Sequence, residues 1–166
     1  MGCDIHMMIE KKVASENVPE QWVTINTMAT IHTDGLSRIE KGRHAWYAAE
    51  DRNYEYFGNL TNGEVRCEAT DFHYPLRGVP DDVSPLVQLN LDYWMHDGHS
   101  HSWLYADEFI PVYMKHFMAP EEVTRLVELR MKGHEIWDEL MSHHFNVAVG
   151  EEDEPTDFRF VFWFDN

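Results

Sequence analysis

The short segment between Asp97 and His101 holds the residue types best suited to chemistry. His99 and His101 are two positions apart, so in extended or loop backbone their imidazoles point the same way and can reach one ion. Gly98 allows the backbone to bend ahead of them, and Ser100 can support a ring nitrogen through a hydrogen bond. The segment predicts a metal site or a proton-transfer site, with Asp97 as general base or further ligand. A surface loop that merely contains histidines is the alternative.

Asp4 and His6 repeat this spacing near the start of the chain. Residues 3–13 alternate between apolar and polar side chains, which is the pattern of a strand with one buried face. Both side chains then leave one face of the strand, about 6.6–6.8 Å apart along it. Unpaired polar groups are costly to bury, so the pair indicates either a structural Asp–His contact or half of a shared site.

The predicted ligand set for one divalent ion combines the two pairs: Asp4, His6, His99 and His101. Carboxylate and imidazole ligands suit zinc, manganese or iron. A bound ion lowers the pKa of its water, so that hydrolysis becomes possible near neutral pH. Asp165 would lie at the same rim if the first and last strands are neighbours, and a solvated acid is the alternative.

Two arginines and two tyrosines are candidates for holding a substrate. Arg77 precedes a glycine in a loop rich in Gly and Pro, where a guanidinium can clamp an anion. Arg52 can steady a phosphate in the same way, and Tyr54 and Tyr56 beside it can stack on a flat base. Ordinary ion pairing with neighbouring acids is the alternative for both arginines.

The elements that would position these residues are those of an α+β protein. Residues 3–13 and 21–28 predict an antiparallel pair of strands, and the apolar run 158–164 predicts a central strand that is buried on both faces. Residues 103–110 predict a helix that Pro111 ends or kinks. The apolar stripe over 119–141 predicts a longer helix, in which Gly133 offers a break. We therefore expect one domain over residues 1–166, with a mostly antiparallel sheet that includes the N- and C-terminal strands and is packed by two or three helices.

The charge balance restricts the partners. The 166 residues include 30 acids and 13 Lys or Arg, a net charge of −17. Such a field repels nucleic-acid phosphates, which argues against direct binding of DNA or RNA. Two interpretations stay open: the charge keeps the protein dispersed, or the surface imitates a nucleic-acid backbone and occupies a basic groove on another protein.

Cysteine content and hydropathy indicate a cytoplasmic protein. Cys3 and Cys67 imply no disulfide framework. Charged residues interrupt the apolar start, so we expect no signal peptide. No run approaches the roughly 20 apolar residues of a membrane span, and no pattern indicates an oligomeric state.

Five blocks of the chain resemble those of a family of uncharacterised phage and prophage proteins. They cover residues 1–6 (MGCDIH), 51–57 (DRNYEYF), 77–84 (RGVPDDVS), 97–104 (DGHSHSWL) and 161–166 (VFWFDN). The resemblance implies a phage or prophage setting and a shared site, and it implies no reaction. Residues 116–144 contain no such block.

These observations predict a metal-dependent hydrolase that acts on a phosphate ester such as a nucleotide. The ion would activate water, Asp97 would act as general base, Arg52 or Arg77 would hold the phosphate, and Tyr54 and Tyr56 would stack on the base. The alternative is a non-catalytic acidic phage protein that binds a host protein or sequesters a small signal.

Overall fold

The computed structural model describes residues 2–25 and 53–165, and within these ranges the strands form a four-stranded antiparallel sheet. The strand order is β2-β1-β4-β3, so the last strand lies between the first strand and β3. The bounds are β1 Asp4–Ser15, β2 Val18–Thr24, β3 His99–Tyr105 and β4 Phe158–Asp165. The predicted antiparallel sheet with N- and C-terminal strands is confirmed.

Helices pack on the sheet. They are α1 Tyr54–Leu60, α2 Pro85–Trp94, α3 Ala106–Phe117, α4 Pro120–Met131 and α5 Ile136–His143, followed by a short 3₁₀ turn at Pro155–Asp157. The α+β class is confirmed, although the described residues form five α-helices and not the two or three expected. None of the helices in these ranges combines the length and the apolar character needed to cross a bilayer.

Strand β4 is central because its side chains are apolar on both faces. Its four phenylalanines, which include Phe160 and Phe164, point to what we call the first face, where helices α1, α3 and α5 build the main core. Val161 and Trp163 point to the opposite, second face, where they pack with Val87 and Leu91 of α2. The two faces therefore have separate covers, a helical layer on one side and α2 on the other.

The predicted helix over residues 103–110 is wrong in its first part. Trp103 and Tyr105 belong to β3 and pair with Val161 and Arg159 of β4. Helix α3 begins at Ala106, after the Tyr105 amide donates to the Glu108 carboxylate at 2.9 Å. The helix continues through Pro111 to Phe117.

The predicted bounds of other helices and strands agree better with the structure. The break offered by Gly133 is confirmed, since α4 ends at Met131, α5 begins at Ile136, and Gly133 has a φ of +90°. Strand β2 ends at Thr24, and residues 26–28 of the predicted second strand lie outside the described residues.

Replacement of Phe160 by alanine should strongly destabilise the protein. The ring is fully buried and stacks on Phe109 with centroids 3.8 Å apart, so the substitution leaves a cavity beneath α3. We expect the free energy of unfolding to fall by about 3–5 kcal/mol, measured by urea unfolding. Met131→Ala is the control, because its side chain is 84% exposed and should change stability by no more than about 0.5 kcal/mol. Equal effects of the two substitutions would contradict the packing described for β4.

Candidate functional site

Strand pairing brings the start and the end of the chain together at one end of the second face. Asp4 lies opposite Asp165, and His6 lies opposite Trp163. The Nε2 atom of His6 is 3.2 Å from Oδ2 of Asp165, and these side chains are 11% and 15% exposed. An imidazole held by a carboxylate at a partly open rim can accept and return a proton.

Tryptophans surround this His–Asp pair. The His6 ring packs on Trp94 at a centroid distance of 4.2 Å and on Trp163 at 5.8 Å, and His101 stacks on Trp163 at 6.4 Å. Gly98 leaves room for this arrangement: a Cβ there would lie 3.0 Å from the Trp94 carbonyl oxygen and 3.3 Å from Trp163. Position 98 therefore requires glycine because a side chain there would be too close to Trp94 and Trp163.

The sequence interpretation missed both tryptophans. Trp163 carries a usable signal, because pairing Asp4 with Asp165 in an antiparallel register places it opposite His6. Trp94 carries none, since it reaches the site from the last turn of α2.

The prediction that His99 and His101 point the same way is wrong. His99 pairs with Phe164 and Ser102 pairs with Phe162, so β3 contains one extra residue between them. This β-bulge includes Ser100, whose φ is +51°, and it turns successive side chains to other directions. His99 therefore stacks on Phe164 of the first face, while His101 stacks on Trp163 of the second face.

Each histidine consequently has its own surroundings. His99 Nδ1 lies 3.0 Å from the Ser100 hydroxyl, which is the support expected of that serine. His99 Nε2 is buried and has no hydrogen-bond partner among the described residues. Burial, together with the charge of His99, lowers the pKa of His101, so this imidazole favours its neutral form.

The predicted four-residue ligand set is not assembled. Asp4, His6 and His101 share the second face, whereas His99 lies on the first. Within residues 2–25 and 53–165, no three His, Cys, Asp or Glu side chains are grouped to hold a metal ion. Asp97 is exposed in the turn between α2 and β3, where its amide donates to the Trp94 carbonyl at 2.9 Å.

The predicted substrate-binding residues lie elsewhere and are occupied by other contacts. Arg77 donates to both carboxylate oxygens of Glu108, at 2.7 and 2.5 Å, which is ion pairing with an acid that the sequence did not indicate. Tyr56 is 0% exposed in the main core, so its ring cannot stack on a ligand. Tyr54 is half-buried against that core, and Arg52 lies outside the described residues.

Comparison of the chain with protein-family models, with curated proteins and with solved structures finds no match. The resemblance of the five sequence blocks to phage and prophage proteins therefore stays a prediction.

Replacement of His101 by glutamine should flatten the pH dependence of stability. The folded protein disfavours protonation of His101, whose pKa is lowered, while the unfolded chain takes up the proton at about pH 6.5. The unfolded state binds more protons below that pH, so stability falls as the pH falls. The free energy of unfolding of His101→Gln, measured between about pH 7.5 and pH 5.5, should therefore fall less than that of the wild type.

His134→Gln is the matched control for this measurement, because His134 is exposed. We expect it to keep the slope of the wild type. If His101→Gln also keeps that slope, burial does not hold His101 neutral.

Proposed function

We propose that the protein is a hydrolase in which His6 is the general base and Asp165 positions it. The observation that carries this proposal is the distance of 3.2 Å between His6 Nε2 and Asp165 Oδ2 at the rim of the sheet. Partial exposure of both side chains supports access of water and a small substrate.

The proposed reaction is hydrolysis of a carboxylic ester. Asp165 accepts the hydrogen bond from Nε2–H of His6, which places the basic lone pair on Nδ1. Nδ1 takes a proton from water as the water oxygen bonds to the acyl carbon. The bond from that carbon to the leaving oxygen then breaks, and the imidazolium returns the proton to the leaving alcohol. The charge of Asp165 stabilises the imidazolium in between.

The charges at the rim favour a neutral or cationic substrate. Asp4 and Asp165 are cross-strand neighbours, so two carboxylates stand at the rim beside the single guanidinium of Arg66, which donates to the Gly2 carbonyl at 3.3 Å. This excess of negative charge disfavours an anion. Arg77, the predicted phosphate clamp, is neutralised by Glu108. We therefore propose an ester substrate in place of a nucleotide. Because the donor side chains of residues 2–25 and 53–165 do not converge, the proposal assigns no ion to the site.

The second candidate function is non-catalytic binding of a basic protein. The residues outside the described ranges carry four acids and four bases, so the whole excess of −17 lies on the described residues. At least six of the nine Lys and Arg residues there are already paired with acids: Lys11, Lys12, Arg77, Lys115, Arg125 and Arg159. This leaves a surface that attracts basic partners. The resemblance to phage proteins makes a host protein in the cytoplasm the expected partner.

Replacement of His6 by glutamine should abolish ester hydrolysis. With 4-nitrophenyl acetate as substrate, we expect the rate to fall by about 10²–10⁴-fold, and Asp165→Asn, which keeps the size of the side chain, to reduce it as well. His134→Gln controls for the background reactivity of surface histidines, because this residue is exposed. Equal rates for His6→Gln and His134→Gln would overturn the proposal.

Chelation distinguishes this reaction from a metal-dependent one. We expect EDTA to leave the rate unchanged and 4-nitrophenyl phosphate to be a poor substrate. Activity that disappears with EDTA and returns with zinc or manganese would restore the metal-dependent hydrolase.

A complex with a basic partner, which is the second candidate function, should weaken as the salt concentration rises. We expect a basic partner captured from a bacterial lysate at about 0.1 M salt to be released at about 1 M, because the Debye length falls from about 10 Å to about 3 Å. The His6→Gln variant should capture the same partner, since the histidine has no part in binding. Capture that is unchanged at high salt would count against an electrostatic interface.

A further inference from the structure

A buried asparagine of α1 fastens a short stretch of the loop that follows this helix. Asn59 is 0% exposed. Its Oδ1 accepts hydrogen bonds from the backbone amides of Thr70 at 2.9 Å, Asp71 at 3.2 Å and Phe72 at 3.4 Å. We call residues 70–72 the latched loop. Because a reversed side chain would set its NH₂ group against these three donors, the orientation of the Asn59 amide is fixed.

The amide nitrogen of Asn59 faces a histidine of α3. Its Nδ2 is 3.0 Å from Nε2 of His116, and since Nδ2 can only donate, Nε2 must accept. The His116 imidazole is therefore neutral, with its proton on Nδ1. A second proton on Nε2 would set two donors against each other, and Asn59 cannot turn to relieve this conflict while its Oδ1 holds the latched loop.

The surroundings of His116 disfavour its protonation. Burial is the main cause of the lowered pKa of His116, and the charge of Lys115 on the same helix acts in the same direction. Glu55 of α1 and Asp71 of the latched loop act in the opposite direction without outweighing them. The ring of Tyr56 packs on the imidazole with centroids 5.6 Å apart, so the neutral form is the one that the folded protein accommodates.

The acids beside His116 keep their charge while the histidine titrates. Lys115 donates to Glu55 at 2.9 Å and also to Asp71, and these hydrogen bonds lower the pKa of both carboxyls. Both therefore stay ionised as the pH falls from about 7 to about 5, whereas an imidazole takes up its proton in this range. Within this cluster, His116 is the group that responds to mild acid.

We propose that Asn59 and His116 form a pH-sensitive latch, which holds residues 70–72 against α1 at neutral pH and releases them in mild acid. The latched state needs Nε2 as an acceptor and so disfavours the proton, and by linkage the proton disfavours the latched state. Release uncovers Phe72, whose ring is partly buried against the main core. The latch lies on the first face, so it is independent of the hydrolase proposed for His6 on the second face.

The test is amide hydrogen exchange of the whole protein, followed by ¹H–¹⁵N NMR from about pH 7 to about pH 5. Protection is expressed relative to an unstructured peptide at the same pH. We expect protection of the Thr70 and Asp71 amides to fall by up to about tenfold per pH unit below about pH 6.5, because release is coupled to one proton. Amides of β4 should keep their protection.

Two outcomes of this titration would overturn the latch. One is protection of the latched loop that stays unchanged over the whole range. The other is an equal loss of protection in β4, which would mark unfolding of the entire protein.

His116→Gln and His73→Gln separate the latch from the other histidines. Glutamine at position 116 offers Asn59 an acceptor oxygen that does not titrate, so protection of the latched loop should lose its pH dependence. His73 is exposed just after this loop and lies 3.3 Å from Asn62, so His73→Gln should keep the pH dependence of the wild type. If His116→Gln keeps it as well, His116 is not the switch. The wild-type titration stands on its own if His116→Gln does not fold.

Discussion

Phe160 stacks on Phe109 at 3.8 Å, and this contact ties β4 to α3 at the centre of the main core. Because β4 also carries Val161 and Trp163 on its other side, covering one face leaves a second apolar surface in water. A fully buried side chain of this size contributes about 1.5–3 kcal/mol, so the second face requires a cover of its own. Helix α2 supplies it, and the layered arrangement follows from this strand.

The lengths of the elements explain why polar side chains gather at both ends of the second face. Helix α2 has 10 residues and is about 15 Å long, whereas β1 has 12 residues and spans about 40 Å. The helix can cover only the middle of the strand, where Met8 packs. His6 lies at the last turn of α2, where Trp94 packs on it, and Glu10 lies at the first turn, where it accepts from the Ser84 amide. Alternation directs both side chains to the same face.

The parts of the fold in which apolar side chains recur at a regular spacing could be predicted from the sequence. Alternation in residues 3–13 and the apolar run 158–164 located two central strands, and their antiparallel pairing set Asp165 beside Asp4 and His6. The prediction of the site was wrong where a β-bulge in β3 interrupted the alternation of side chains. A single extra residue at Ser100 sends His99 and His101 to opposite faces, and no residue type announces such a bulge.

Long-range partners were equally hidden from the sequence. Arg77 and Glu108 are 31 positions apart, and their pairing depends on how the loop before α2 crosses the start of α3. Tyr56 belongs to a short helix, and which of its residues is buried depends on the packing of α3 rather than on its own sequence. Pro111 was expected to end or kink a helix, but α3 continues past it. The only intrahelical bond that it removes is the one to the Asp107 carbonyl, in the exposed first turn of the helix.

Helix α2 connects the two ends of the second face, and the cross-strand pair Glu10–Arg159 anchors one of them. A buried ion pair recovers its desolvation cost only with good geometry and further hydrogen bonds, and Glu10 gains one from the Ser84 amide at 2.6 Å. The Ser84 hydroxyl in turn accepts a hydrogen bond from the Val87 amide at 3.4 Å, which caps the N-terminus of α2. The same hydroxyl lies 2.6 Å from the Thr24 hydroxyl. The network of Glu10, Arg159 and Ser84 thus anchors the first turn of α2, while Trp94 in its last turn packs on His6. Both ends of the second face therefore depend on the position of one short helix.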